Sequence, residues 1–403
     1  MNILFLTLVN IRSMDERNIY TDLFREFAHQ GHKVWIATAA ERRTGEQTSL
    51  VTEPDGVVLR VKTGNIQKTN LIEKGISTVL LESQFISAIR RYLSDVKFDL
   101  VIYSTPPVTL AKAVRFVKKR DGAKSYLLLK DIFPQNAVDM GMMTKTGIKS
   151  VLYHFFRQKE KQLYALSDWI GCMSPANVRF LLEHNPQVSA QKVEVCPNSI
   201  EPRDLSLDDE GRRTMRRKYG IPEDKTIFVY GGNLGRPQGI PFIIDCLNSQ
   251  KDNEKAFFLI VGSGTEYAQL ERYVNQSGQA NVKLMSQLPR EDYDRMVAAC
   301  DVGLIFLDHR FTIPNFPSRL LSYMQARLPV LACTDANTDV GEIITDGGFG
   351  WWCRSDDVAG FCRIMEEALQ SPLTEMGSRG AKYLEKNYHV RSGCEIILAH
   401  MDV

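Results

Sequence analysis

Three loops in the second half of the chain carry residue types that handle anions. The first is Tyr230-Gly231-Gly232-Asn233-Leu234-Gly235-Arg236-Pro237-Gln238-Gly239. Its glycines let backbone N–H groups come close to a phosphate, and Arg236 supplies a cation beside them. A tight strand-to-helix turn would use glycine too, but four glycines and an arginine in ten residues favour ligand binding. The second, Val261-Gly262-Ser263-Gly264-Thr265, fits a plain turn as well as a ligand loop. The third is Asn315-Phe316-Pro317-Ser318-Arg319-Leu320-Leu321-Ser322-Tyr323-Met324. Here Ser318 or Asn315 can cap a helix, Pro317 suits its first turn, and Arg319 stands where an anion would meet the helix dipole.

Such loops bind ligands when they leave the carboxyl ends of parallel strands and lead into helices. The chain has that rhythm, short apolar runs alternating with amphipathic stretches. Strands are expected over residues 3–8, 33–37, 57–61, 100–104, 125–129, 169–173 and 192–195. A second set is expected over 226–230, 257–261, 282–285, 302–306 and 330–333. Helices are expected over 20–30, closed by Gly31, and over 240–248, 317–327 and 358–370, with a last amphipathic segment over 376–401. Between the two sets, residues 201–217 read as a polar linker. The expected division is a first domain over 1–200, a second over 201–380, and a terminal helix over 381–403 crossing back to the first.

At 403 residues the chain is too long for one core and suits two α/β domains of about 200 residues each. The net charge is +2, but residues 1–200 sum to +8 and residues 201–403 to −6. The basic half is expected to meet something anionic. No apolar run approaches the roughly 18–20 residues of a membrane span. The N-terminus reads as a buried strand rather than a leader. The eight cysteines form no Cys-x-x-Cys pair and read as reduced packing residues of a cytosolic protein.

In order and spacing, Tyr-Gly-Gly-Asn-Leu-Gly-x-x-Gln-Gly, Val-Gly-Ser-Gly and Phe-Pro-Ser-Arg-Leu-Leu-Ser-Tyr-Met-Gln-Ala-Arg-Leu-Pro-Val-Leu-Ala form one pattern. It resembles the family-4 retaining glycosyltransferases of the GT-B fold, in particular bacterial enzymes that assemble O-antigen, capsule and exopolysaccharide. Gln-Gly-His-Lys-Val and Lys-Asp-Ile-Phe-Pro-Gln-Asn-Ala-Val in the first half fit the same group. The resemblance implies an α/β fold of two Rossmann-like, doubly wound domains facing an interdomain cleft. A UDP- or other NDP-sugar would lie mostly on the second domain and the acceptor on the first. It places Arg319 on the pyrophosphate, with Ser318 and nearby amides. It implies donor contacts at Gly232, Asn233, Gly235, Gln238, Gly262, Gly264, Leu320 and Ser322.

The chain also departs from the family. Asn233 and Gln238 stand where relatives often carry Arg and Lys, with Arg236 a candidate substitute. Ser322 stands where they often carry a ribose-binding Glu, and the first Glu of that pair falls near Pro314. Asp15-Glu16-Arg17-Asn18 replaces the usual Gly-Gly after the first strand, so Arg17 and Asn18 are acceptor-side candidates. So is Lys130, as a reader of acceptor phosphate. Asp131 is the candidate for the reaction centre, where many relatives have His or Asp; an Asp capping the next turn is the alternative.

Breaking a sugar–diphosphate bond needs charge stabilisation on the leaving group, from a metal held by carboxylates or from fixed cations. No Asp-x-Asp suited to a metal–diphosphate clamp is found, and Asp208-Asp209-Glu210 falls in the polar linker. Metal-independent transfer through Arg236 and Arg319 is therefore expected, with no cofactor, and the resemblance implies that it retains anomeric configuration. Residues 145–164 mix Lys and Arg with Leu, Tyr and Phe at helical spacing. They read either as a core helix with a basic side or as a face lying on an anionic membrane. Since related enzymes use lipid-diphosphate acceptors, a lipid-linked saccharide acceptor and peripheral contact with the inner membrane are expected. Nucleic-acid binding has only the basic half in its favour and is not expected. The competing readings are a UDP-sugar 2-epimerase of GT-B shape and a non-catalytic sugar-nucleotide binder. A dinucleotide-dependent dehydrogenase is disfavoured, because Gly262-x-Gly264 lacks the further glycine of that fingerprint.

Overall fold

The computed structural model describes residues 1–66, 71–147 and 150–401. Residues 148 and 149 of the basic segment over 145–164 lie outside the described residues. The chain divides into two units, Met1–Glu201 with Val390–Val403, and Pro202–His389.

The first unit runs β1 (Asn2–Thr7), α1 (Ile19–His29), β2 (Lys33–Glu41), β3 (Ser49–Glu53), β4 (Gly56–Thr63), α2 (Leu71–Tyr92) and β5 (Leu100–Ser104). It continues α3 (Ala111–Asp121), β6 (Lys124–Leu129), α4 (Gln135–Asp139), α5 (Ser150–Leu166), β7 (Trp169–Cys172), α6 (Pro175–His184) and β8 (Val193–Val195). Its sheet has the order β3-β4-β2-β1-β5-β6-β7-β8, parallel except that β3 pairs antiparallel with β4. Strand β1 shows why both faces are covered. Leu4 and Leu6 enter a core with Leu81, Phe85, Val114 and Leu163 of α2, α3 and α5. Ile3 and Phe5, pointing the other way, enter a core with Phe24 and Phe27 of α1. Successive side chains of a strand point to opposite faces, so a run apolar at every position belongs between two helical layers.

The second unit runs α7 (Asp209–Tyr219), β9 (Thr226–Asn233), α8 (Ile240–Ser249), β10 (Ala256–Ser263), α9 (Tyr267–Ser277), β11 (Val282–Ser286) and α10 (Arg290–Ala298). It continues β12 (Val302–Phe306), α11 (Arg319–Gln325), β13 (Val330–Thr334), α12 (Val340–Asp346), β14 (Gly350–Arg354), α13 (Val358–Gln370) and α14 (Leu373–Asn387). Its sheet, β11-β10-β9-β12-β13-β14, is parallel throughout. A final helix, α15 (Val390–Leu398), returns to the first unit, where Val390, Cys394 and Ile397 join the core beside α1.

Several elements differ from the sequence expectation. The linker over 201–217 contains α7, whose first turn is the acidic cluster: Asp208 caps it, its Oδ1 accepting from the Gly211 amide at 2.8 Å. Residues 376–401 are two helices. Tyr388 ends α14, and the Val390 amide donates to the Ile200 carbonyl at 2.9 Å, turning the chain into the first unit. Strands β3 and β14 were not expected. β3 is an edge strand with Leu50 and Val51 40% exposed, so it carries no buried apolar run. The eight cysteines are free, seven of them buried.

Candidate functional site

In the second unit, β9 and β10 end side by side in the two glycine loops. Gly232 pairs with Gly262, and a Cβ on Gly262 would stand 2.0 Å from the Gly232 carbonyl oxygen. A Cβ on Gly264 would stand 2.2 Å from the Leu234 oxygen, while the Leu234 amide donates to the Ser263 carbonyl at 2.9 Å. Gly262 and Gly264 thus let one loop lie against the other, a packing reason beside the ligand role expected of them. Asn233 and Gln238 bond to each other, Asn233 Nδ2 donating to Gln238 Oε1 at 2.9 Å, and the same oxygen accepts from the Gly235 amide at 3.1 Å. Gln238 is buried and Asn233 exposed, so the pair ties the surface of the loop to its interior. Arg236 is exposed, with Glu266 3.7 Å away.

Arg319 is the focus of this edge of the sheet. Its guanidinium carbon lies 4.3 Å from the centroid of the Tyr230 ring, and its Nη2 faces the open side of Gly232. Its Nη1 is buried without a hydrogen-bond partner. A buried, unpaired donor on a cation costs free energy unless an anion or water meets it. Tyr293 and Tyr323 complete the surroundings. The Tyr323 hydroxyl accepts from the Gly231 amide at 3.2 Å and shares its proton between the Val229 and Leu304 carbonyls, each 3.1 Å away. Tyr293 occupies the space that a Cβ on Gly231 would fill, 1.9 Å from its hydroxyl. Burial pushes the Tyr293 phenol up to about 12, against the pull of the Arg319 charge, so it stays neutral. Sequence reasoning missed these three tyrosines. Their one signal was position, Tyr230 before the first glycine loop and Tyr323 four residues past Arg319.

The start of α11 differs from the expected capped helix over 317–327. Ser318 has helical backbone angles and makes no side-chain cap. The Leu320 and Leu321 amides turn back three residues, to the Pro317 and Ser318 carbonyls, each at 3.1 Å. Leu320 is fully buried in the core and Ser322 is half-buried. Asn315 Nδ2 is a second buried donor without an acceptor at this helix start.

In the first unit, the Thr105 hydroxyl pins the loop leaving β6. It accepts from the Lys130 amide at 3.1 Å and the Asp131 amide at 3.3 Å, and it donates to the Asp131 carbonyl at 3.1 Å. Both Asp131 carboxylate oxygens accept from Asn136 Nδ2, at 2.8 and 2.9 Å. Burial still pushes the Asp131 carboxyl up to about 6, against the Ile132 amide and Asn136, which favour the ionised form. Burial holds the Lys130 ammonium down to about 8, and its Nζ reaches the Cys196 carbonyl at 3.4 Å. Asn18 is the N-cap of α1, its side-chain oxygen accepting from the Tyr20 and Thr21 amides at 2.9 and 3.1 Å. Arg17, beside it, is half-buried.

One literal Asp-x-Asp, Asp292-Tyr293-Asp294, lies on α10. Residues two apart on a helix do not face each other. Asp292 pairs with Lys218 at 2.8 Å and Asp294 with Arg290 at 3.1 Å, so the two carboxylates diverge. No described helix is long and apolar enough to cross a membrane.

Residues 211–386 match the family model described as "Glycosyl transferases group 1". The chain is 25% identical over 323 residues to a probable glycosyltransferase, WbjE, of Pseudomonas aeruginosa, covering 80% of this chain and 78% of that one. It is 25% identical over 281 residues to WcaI of Escherichia coli, a putative colanic acid biosynthesis glycosyl transferase, covering 68% and 67%. Among solved structures it superposes on sucrose-phosphate synthase of Thermosynechococcus elongatus with a TM-score of 0.74 at 14% identity, covering 100% and 98% of the two chains. It superposes on HepE of Anabaena, solved with UDP and glucose, with a TM-score of 0.69 at 14% identity, covering 100% and 99%.

Proposed function

Residues 211–386 form a glycosyl transferases group 1 domain and the chain is a glycosyltransferase of the GT-B fold; on that premise we propose that it moves a sugar from a nucleotide-sugar, a UDP-sugar first, to a lipid-linked or glycan acceptor. The donor lies on the second unit and the acceptor on the first. The reaction retains anomeric configuration and uses no metal. The observation that carries this reading is Arg319, a guanidinium stacked on Tyr230 with Nη1 buried and unpaired. A diphosphate oxygen at that nitrogen would satisfy it, and Asn315 Nδ2 offers a second donor at the same helix start. HepE, solved with UDP and glucose, supports a uridine donor, and the colanic acid assignment of WcaI supports a product in bacterial surface polysaccharide such as O-antigen or capsule.

The chemistry follows from charge. As the bond from the anomeric carbon to the diphosphate oxygen breaks, negative charge grows on the diphosphate. Arg319 opposes it with up to two parallel hydrogen bonds. The acceptor hydroxyl attacks from the same face, its oxygen bonding the anomeric carbon while its proton passes to the departing diphosphate oxygen. The Asp131 carboxylate orients that hydroxyl or balances positive charge on the sugar, and Lys130 reads an acceptor phosphate. Arg236, on the exposed rim, adds a second cation. A lipid-linked acceptor requires work at a membrane surface, and the +8 balance of residues 1–200 favours an anionic leaflet.

The test is a thermal-shift panel of nucleotide-sugars followed by turnover with and without EDTA. A bound donor at 100 times its Kd should stabilise by about 2.7 kcal/mol. Turnover abolished by EDTA and restored by Mn²⁺ overturns metal independence. Release of a 2-epimerised sugar without an acceptor overturns transfer.

A further inference from the structure

Helix α2 follows β4 and runs back along one face of the first sheet. Leu59 and Val61 of β4 enter the core shared with Leu81 and Phe85 of α2. Thr63, two residues further along the strand, therefore faces α2 as well. Just past it, Gly64 lies so close to α2 that a Cβ on it would stand 2.1 Å from the Ser77 hydroxyl. Beside this contact is a groove of about 710 Å³. It is lined along α2 from Glu73 to Gln84, about 16 Å of helix. Arg42, just past β2, lines it too and pairs with Glu73 at 2.5 Å.

Two polar atoms of the groove's lining have no hydrogen-bond partner. Thr63 is 2% exposed, and its Oγ1 is one of them; Gln84 Oε1, also buried, is the other. Folded chains rarely leave such atoms unmet, because each has given up water and gained nothing. A hydroxyl like that of Thr63 can donate or accept, whereas an amide oxygen can only accept. A sugar hydroxyl answers both. The same helix adds Ile76 and Leu80, 58% and 47% exposed, to the lining. A pyranose ring has C–H faces beside its hydroxyl edges, so it suits an apolar wall with a few placed polar atoms. A lipid tail would leave both polar atoms unmet. A phosphate would find the Arg42 guanidinium already shared with Glu73.

The place of the groove says which sugar it would hold. It lies where β4 ends, and the Asp131 loop leaves the end of β6 on the same carboxyl edge. The order β4-β2-β1-β5-β6 puts four inter-strand steps between them, about 19 Å at the usual spacing. A single sugar is too short to reach from one to the other, and a chain of several is not.

We propose that the groove between β4 and α2 is a glycan subsite, holding a sugar of the acceptor several units away from the one at the Asp131 loop. Gln84 Oε1 accepts from a hydroxyl of that sugar, Thr63 Oγ1 bonds another, and Ile76 and Leu80 cover its C–H face. This rests on the transfer reading, and it makes the acceptor an oligosaccharide that earlier glycosyl transfers have already built.

The experiment is calorimetric titration of the full chain, without donor, with fragments of the host cell's own surface polysaccharide. Mild acid releases them, and they are sorted into single sugars and chains of several sugars. Wild type should bind the chains at least about tenfold more tightly than the single sugars, the worth of two hydrogen bonds. Thr63→Val/Gln84→Leu should lose about that factor, bind the nucleotide-sugar like wild type, and melt no lower than wild type, since it removes two unmet polar atoms. Chains bound no better than single sugars overturn the subsite, as do chains bound equally by the variant. A variant that melts well below wild type also overturns it, because the two atoms would then be serving the fold. Octyl glucoside bound as tightly as the chains, and equally by the variant, would make the occupant an alkyl chain and overturn it too. Chains that bind as expected but are extended from no nucleotide-sugar defeat the proposed reaction and leave the subsite standing. Transfer to single sugars with the kcat/KM of the chains does the reverse.

Discussion

The guanidinium of Arg319 rests 4.3 Å above the ring of Tyr230, whose own hydroxyl is spent on the Asn233 carbonyl 2.6 Å away. One tyrosine thus holds both the cation and the turn of the first glycine loop. The ring face offers negative quadrupole to the guanidinium, whose Nη1 is left without a protein acceptor.

Arg319→Ala should remain folded and lose roughly 10²–10³-fold in kcat/KM, by analogy with a single donor to a developing oxyanion. The loss should appear in kcat as well as in donor binding, because the interaction strengthens as the diphosphate departs. Arg319→Lys should recover part of it. A folded Arg319→Ala enzyme with wild-type kinetics would move the phosphate contact elsewhere, to Arg236 first.

Tyr230→Phe and Tyr230→Leu separate the two duties of that side chain. The first keeps the ring and drops one hydrogen bond, so it should cost about 1 kcal/mol of stability and leave donor KM nearly unchanged. The second removes the face under Arg319, and donor affinity should fall severalfold. Equal KM values in calorimetric and steady-state measurements on the two variants would show that the stacking does not position the cation.

Gly262→Ala should be strongly destabilising, because its new methyl would stand 2.0 Å from backbone, the Gly232 oxygen, which has no side-chain freedom to move aside. Gly278→Ala meets nothing within 4 Å but sits at φ +62°, so its cost should be about 1 kcal/mol of backbone strain. Urea melts of the two variants check the order. A Gly262→Ala protein as stable as wild type would mean that the two loops do not lie against each other in solution.

Asp131 gives a pH signature. Its folded carboxyl titrates at about 6, above its ordinary 3.8, so the folded state binds more protons between those values. Stability should therefore fall as pH rises across that window, by on the order of 2–3 kcal/mol for the one group. If the carboxylate is the working form, kcat/KM should rise through pH 6. Asp131→Asn should flatten both slopes. Denaturant melts and kcat/KM measured from pH 4 to 7 test this, and a variant whose slopes match wild type would assign them to another group.

Much of the architecture was legible because a parallel strand buried on both faces is apolar at every position. Leu100–Ser104 and Val302–Phe306 stand where they were expected, as does α13. β3 was not legible, because an edge strand open on both faces has no such run. α7 was not, because its helix is carried by Arg, Lys and Glu, and its sequence reads like a polar linker.

The site divides the same way. Residue types and spacing alone put glycines at the ends of two strands and Arg319 at the start of a helix, because tight turns and close backbone approach demand small residues locally. Only the folded chain decided that Asn233 and Gln238 bond to each other, that Ser318 does not cap its helix, and that Tyr230, Tyr293 and Tyr323 surround Arg319. Arg319 and Tyr230 lie about ninety residues apart in the chain. Their contact depends on strand register and helix rotation, which are set by the packing of the whole second unit rather than by any local preference of the sequence.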